Sequence, residues 1–178
     1  NSSIPNASYK LGFGNFAYVM QYSGFINALT NISYILKDSP FALHGKQCDR
    51  QYEWIINGYR PFIYEDKFMS YLMGRGISGT RSEASGLTSI VPMLIRMSSY
   101  APDVYKGDIL AIVKYAMQVS GVDFSSKVDY PLISFCEQIK NDDSIIAVKP
   151  LHETVILASM DRIAQHNPEY AVGISLSS

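Results

Sequence analysis

The stretch at residues 15–36 reads NFAYVMQYSGFINALTNISYIL, and its pattern makes the chain helical from its first third. Its apolar side chains recur at steps of three and four through Phe16, Val19, Met20, Phe25, Ile26, Leu29, Ile32, Ile35 and Leu36, a spacing that gathers them on one face of an α-helix. Ser23-Gly24 is its weak point, and Asp38-Ser39-Pro40 ends it, because proline disfavours helical backbone in the residue before it. Working outward, residues 47–56 read as a second helix, stopped by Asn57-Gly58 and Pro61. Residues 62–79 mix aromatics with Gly74, Gly76 and Gly79 and read as irregular. Ser82, with Glu83 in the first turn, caps a long helix through Leu87, Ile90, Val91, Leu94 and Ile95, kinked at Pro92. Asp108 caps the clearest helix, with Gly121 as its stop, and Leu132 to Ile139 adds another turn or two. After Asn141-Asp142-Asp143 the pattern turns β-branched, and residues 145–148, 154–157 and 170–174 read as strands. The fold class is therefore mainly α: helical hairpins followed by the beginning of a sheet.

At 178 residues the chain has room for one main core, and 47% hydrophobic against 17% charged residues excludes a disordered chain. Fifteen Lys+Arg against sixteen Asp+Glu leave a net charge of −1, so no overall field draws it to nucleic acid or anionic lipid. Any anionic ligand needs a local basic cluster, for which Lys10, Arg60, Arg75 and Arg81 are candidates. The longest uncharged stretches, residues 11–36 and 86–95, are interrupted by polar residues or too short to span a membrane. The two cysteines, Cys48 and Cys136, read as buried free thiols. The chain begins at Asn1 without a basic start and apolar run, as a cytosolic protein, a processed one or a piece of a longer one would. Sequons at Asn1, Asn6 and Asn31 lean the reading toward a secreted or extracellular protein. Nothing in the sequence sets an oligomeric state.

No CxxC, HExxH, P-loop or GxSxG is present, so the common metal, nucleotide and serine-hydrolase signatures are missing, and no metal site is expected. Asp142-Asp143 reads as a solvated turn rather than a calcium site. What remains is an arginine between glycines, Gly74-Arg75-Gly76-Ile77-Ser78, where missing side chains let a ligand reach both backbone and guanidinium. Gly12-Phe13-Gly14-Asn15 reads by itself as a turn and cap, and His44 as structural or solvated. His166 reads as structural or solvated too, with a place at a junction between helices and sheet as the alternative. Tyr18, Tyr22, Tyr34 and Tyr115 fall in helical patterns as packing residues.

Four motifs in order resemble polysaccharide lyase family eight, which contains the hyaluronate, chondroitin AC and xanthan lyases. Ser8-Tyr9-Lys10-Leu11-Gly12-Phe13-Gly14-Asn15 is similar to the family's Ala-Tyr-Thr-Gly-x-Tyr-Gly-Asn, and Asp38-Ser39-Pro40-Phe41-Ala42-Leu43 to its Asp-Thr-Pro-Tyr-Ala-Leu. Tyr52-Glu53-Trp54-Ile55 resembles Tyr-x-Trp-Ile, and Gly74-Arg75-Gly76-Ile77-Ser78-Gly79 with Ser82-Glu83 resembles Gly-Arg-x-Ile-Ser-Arg followed by Ser-Glu. Residues 160–178 look like the entry into the family's β-sandwich.

The resemblance implies the later part of an (α/α) toroid over residues 1–143 and the first strands of a β-sandwich over 144–178. It implies cleavage of an anionic, uronic-acid-containing polysaccharide by β-elimination without a cofactor. Arg75 takes the place of the catalytic arginine, with Asn15 and Arg81 as weaker substrate-binding candidates. Phe13 stands where the family has its catalytic tyrosine, and phenylalanine has no oxygen to move a proton; Tyr9 is the nearest substitute. The family histidine would fall near Ile4, where none stands, and the family asparagine upstream of Asn1. Two readings follow, a lyase of which this is a partial chain, and a non-catalytic glycan-binding or structural derivative of the same fold. A helical scaffold without a site is a third.

Overall fold

The computed structural model describes residues 23–43, 45–69, 85–157 and 162–175. Helix α1, Ser23–Leu36, ends in a turn at Ser39, whose hydroxyl donates to the Leu36 carbonyl (2.8 Å). The expected helix thus stops where the proline demands. Its buried positions are Ile26, Thr30 and Ser33, however, while Ile32 and Ile35 are exposed, so the apolar stripe is only partly the packed face. Thr30 tolerates burial because its hydroxyl donates to the Asn27 carbonyl (2.8 Å).

Helix α2, Lys46–Trp54, does not stop at Asn57-Gly58 as expected. It widens into a π-helical turn, Ile55–Tyr59, and tightens into a 3-10 turn, Arg60–Phe62, before the backbone extends at Ile63. Burial of Ile55, Gly58, Tyr59, Pro61 and Phe62 outweighs the weak local helix propensity of Asn-Gly. Of the segment 62–79 expected to be irregular, residues 62–69 are regular, and 70–79 lie outside the described residues. Strands β1 (Ile63–Tyr64) and β2 (Lys67–Phe68) form a hairpin that turns at Glu65 (φ 49°), and β3 (Ser85–Gly86) pairs antiparallel with β2.

The long helix expected from Ser82 is corrected in its described part: a 3-10 turn, Leu87–Ser89, precedes α3, Val91–Ser98. Pro92 therefore lies in the first turn, where its missing N–H costs nothing, and starts the helix rather than kinking it. Helix α4, Asp103–Ser120, begins earlier than Asp108; Pro102 opens it and Asp103 supplies the acidic first turn. Gly121 ends it at φ 61°, the left-handed conformation glycine adopts without steric cost. A 3-10 turn, Tyr130–Leu132, leads into α5, Ile133–Asn141.

Residues 145–148 form no strand; the Val148 amide donates to the Ala111 carbonyl (3.0 Å), tying this connector to α4 instead of a ladder. Strands β4 (Thr154–Leu157), β5 (Arg162–His166) and β6 (Ala171–Ser175) follow as an antiparallel meander in that order. Strand β5 alternates, burying Arg162, Ala164 and His166 and leaving Gln165 exposed.

Helix α3 lies centrally, packed on α1 and α4, and α4 also meets α2 and α5. Leu94, Ile95, Met97, Ile109, Ile112 and Phe62 fill the space between them. Two cations lock the layers. Arg96 of α3 donates through Nε (3.1 Å) and Nη2 (2.6 Å) to the Asp129 carboxylate and through Nη1 to Asn27 Oδ1 of α1 (3.2 Å). The buried Lys114 ammonium of α4 donates to the carbonyls of Ile139 (3.0 Å), Lys140 (2.9 Å) and Asp142 (3.0 Å) at the C-terminus of α5.

Candidate functional site

Arg75, Phe13, Tyr9, Arg81 and Asn15, together with His44, Tyr18 and Tyr22, lie outside the described residues. Among those described, polar and aromatic groups gather on the seam between the helices and the β4–β6 sheet. The 3-10 turn after α2 supplies one side of the seam, and the connector and the end of β5 supply the other.

Three side chains cross it. His166 is buried, and its Nε2 stands 2.7 Å from the Pro61 carbonyl; a carbonyl only accepts, so Nε2 carries the hydrogen. The Tyr64 hydroxyl donates to the Pro168 carbonyl (3.4 Å), with its ring tilted on the His166 ring at 6.2 Å between centroids. Arg60 Nη2 donates to the Lys149 carbonyl (3.5 Å). His166 is thus structural, buried and partnered rather than solvated, and it stands at the junction between helices and sheet. Arg60, a candidate for ligand charge, is engaged in holding the connector. Tyr115 is buried as expected, whereas Tyr34 is half-buried beneath the Lys37 ammonium, 4.6 Å from its ring centre.

Between these elements lies a cleft of about 170 Å³, open on one side to solvent, with Ile63, Ile112 and Val148 as apolar wall and Tyr64, Tyr115 and Asn167 among its polar groups. Its walls come from four separate segments, and Val148 sits in a run that reads as a strand, so no local pattern marks it.

A second cluster joins α2, α3 and α4. Tyr52 stacks on Tyr105 at 5.2 Å and meets Tyr100 at 6.2 Å, and the Tyr100 hydroxyl donates to the buried Gln51 Oε1 (3.2 Å). Burial pushes the Tyr52 hydroxyl up, reinforced by Asp49; burial likewise raises Tyr100, reinforced by Tyr52 and opposed by a hydrogen bond with Ser33. Burial also lifts Tyr59 to about 12 and raises Tyr64, Tyr105 and Tyr115. A tyrosine that takes a proton near neutral pH needs the opposite shift. These six hydroxyls therefore read as packing and hydrogen-bonding groups rather than as a base.

The thiols are free. Cys136 is buried and raised by that burial, whereas Cys48 is only half-buried, against expectation. Asp142 is exposed and accepts from the Ser144 amide (2.9 Å) and hydroxyl (2.6 Å), which hold its carboxyl below the ordinary value. Among the described residues no three His, Cys, Asp or Glu side chains come together as metal ligands, and no helix is long and apolar enough to cross a membrane.

The described residues thus form helical layers leading into an antiparallel sheet, with aromatic and polar groups along their seam. Residues 6–115 match the N-terminal α-helical domain of polysaccharide lyase family 8, and the chain belongs to that family. It is 26% identical over 166 residues to a xanthan lyase of Bacillus sp. (strain GL1), covering 92% of this chain and 18% of that protein. It is also 26% identical over 161 residues to a hyaluronate lyase of Staphylococcus aureus, covering 86% of this chain and 20% of the relative. The solved structure of Paenibacillus xanthan lyase superposes with a TM-score of 0.72 at 25% identity, covering 88% of this chain and 15% of that one. The chain thus spans about a fifth or less of the relatives' length.

Proposed function

We infer that this chain is part of a polysaccharide lyase that cleaves a uronic-acid-containing glycan of the hyaluronan, chondroitin or xanthan type by β-elimination. The observation that carries the reading is the family match over residues 6–115, a span that holds both the Gly12-Phe13-Gly14-Asn15 and the Gly74-Arg75-Gly76-Ile77-Ser78 motifs. In this reaction a proton leaves C5 beside the uronate carboxylate, the electron pair forms the C4–C5 double bond, and the glycosidic oxygen leaves C4 with a proton. The C5 proton is weakly acidic, so donors must neutralise the carboxylate as charge develops. A cation beside the base favours its ionised form. Arg75 is assigned that role, with Arg81 and Asn15 as substrate contacts.

In this reading residues 1–143 contribute to a helical toroid and 144–178 open a sandwich, the partner is an anionic polysaccharide, and the protein is secreted, as its sequons suggest. Phe13 favours a second reading. A ring without a hydroxyl at the base position leaves the chain able to hold a glycan and unable to move the proton, unless Tyr9 substitutes.

The test is ultraviolet absorbance of the new C4–C5 double bond when the full-length protein meets hyaluronan, chondroitin or xanthan. Absorbance that rises with the parent and is lost in Arg75→Ala supports the lyase, and a gain in Phe13→Tyr assigns the base position. No rise from either the parent or a folded Phe13→Tyr variant leaves the non-catalytic reading.

A further inference from the structure

Strands β2 and β3 pair through Phe68↔Ser85 and Lys67↔Gly86, so the chain leaves this ladder after Phe68 and rejoins it at Ser85. Between those two points the sequence carries Gly74-Arg75-Gly76 and Arg81. Paired strands lie about 4.8 Å apart, a spacing that fixes where the intervening segment starts and ends. Glycine on both sides of an arginine gives the local backbone little constraint of its own, so the place of Arg75 has to be set from those ends.

A ladder of two residues per strand is too short to hold itself together. Its anchors are side chains. Phe68 and Met69 are buried on the entry side and Leu87 on the exit side, and the Met69 amide donates to the Phe62 carbonyl (2.8 Å). The Phe68 ring stacks on the Tyr59 ring, 5.4 Å between centroids and 17° between planes. Tyr59 contributes only its ring here, since its buried hydroxyl has no hydrogen-bond partner among the described residues. It belongs to the π-helical turn Ile55–Tyr59, a departure from α geometry of the kind that recurs at functional sites.

We propose that the Tyr59–Phe68 ring pair is a positioning element for Arg75, seating the ladder that the Arg75-bearing segment leaves and rejoins. The proposal rests on the reading of Arg75 as the cation of a lyase. It goes beyond that reading by naming two residues, both outside the motifs shared with the family, that act on the reaction through Arg75. Displacing a catalytic group by about 1 Å can cost about a hundredfold in rate. A ladder that yields by a fraction of that distance is expected to cost about tenfold in kcat.

Steady-state kinetics of C4–C5 double-bond formation test this, with the full-length protein on hyaluronan, chondroitin or xanthan, in the parent or in Phe13→Tyr, whichever is active. Phe68→Leu removes the ring and keeps an apolar side chain; kcat is expected to fall about tenfold with KM held within about twofold. Tyr59→Phe keeps the ring and is expected to keep kcat. Phe124→Leu makes the same ring loss in the 3-10 turn that packs on α5. It is expected to lower the urea midpoint to a similar degree and to leave kcat within about twofold. In an Arg75→Lys background the Phe68→Leu effect is expected to shrink to about twofold or less, because the group being positioned has changed. A kcat loss matched by Phe124→Leu, a change confined to KM, or a full loss repeated in the Arg75→Lys background would overturn the proposal. If Phe68→Leu does not fold, Phe68→Met takes its place with the same expectations. An active protein whose kcat is unchanged in Phe68→Leu sinks the positioning role alone. No double bond from either the parent or a folded Phe13→Tyr variant sinks the lyase reading, and the positioning role with it.

Discussion

Replacing Lys114 by methionine withdraws one ammonium from three carbonyls. Nζ stands 2.9–3.0 Å from the Ile139, Lys140 and Asp142 oxygens, at the end of α5 where the helix carries partial negative charge. Lys140 and Asp142 are exposed, so water can take over at their carbonyls; Ile139 is buried, and its carbonyl stays unpaired at about 1–3 kcal/mol. Loss of the cation at the helix end adds about 1 kcal/mol. Methionine fills nearly the same volume and escapes the cost of burying a charge, which offsets part of the loss. The expected net destabilisation is about 2 kcal/mol. With a urea slope of about 2 kcal/mol/M for a chain of this size, the unfolding midpoint falls by about 1 M. Hydrogen exchange should localise the effect, with amides of residues 133–141 losing protection before those of α3. A midpoint shift below about 0.25 M, the range of a neutral surface change, would refute the reasoning.

The Tyr59 hydroxyl is buried without a partner, so Tyr59→Phe should leave stability unchanged or raise it by up to about 1 kcal/mol in a thermal or urea melt. Because burial holds Tyr59 at about 12, above its ordinary 10.0, the unfolded chain loses this proton first, and stability should fall as pH rises from 10 toward 12. The phenylalanine variant should lose less over that window, and an identical alkaline profile would count against the assignment. Asp142 gives the opposite sign: its carboxyl is held below 3.8, chiefly by Ser144, so its contribution is present above 3.8 and is lost as pH falls through the folded value. Ser144→Ala should move the Asp142 titration, followed by carboxyl carbon NMR, back toward 3.8. Gly121→Ala meets no atom within 4 Å but retains φ 61°, so a loss of about 1 kcal/mol in urea should come from backbone alone.

The parts of the fold that were legible from the residues were those set by local physics. Proline after Asp38-Ser39 and glycine at 121 end helices whatever surrounds them, and the β-branched run at residues 154–157 is a strand. Local signals mislead where tertiary burial overrides them. Asn57-Gly58 reads as a stop only until its buried neighbours are seen, and Pro92 reads as a kink only if the helix is started too early. Strand β5 was hidden because its inward residues include Arg162 and His166, polar types that no hydrophobic alternation flags. His166 owes its burial to a carbonyl on Pro61, 105 residues away in sequence, a contact that no spacing rule reaches. Arg75 is marked by the glycines that flank it, and both its role and that of Phe13 are implied by resemblance to the family.

The π-helical turn at Ile55–Tyr59 also limits how this protein can vary in length. A turn of this kind holds one residue more than an α-turn, and each helical residue adds about 100° of rotation. Deleting Asn57 would restore regular α geometry and at the same time swing everything upstream about a quarter of the way round relative to Pro61. The Pro61 carbonyl that meets His166 and the Tyr52 ring that meets Tyr105 could then no longer both be in register. Two packing surfaces on opposite sides of one extra residue make that residue count a fixed quantity, so length changes should accumulate in the 142–153 connector and be absent from residues 55–59.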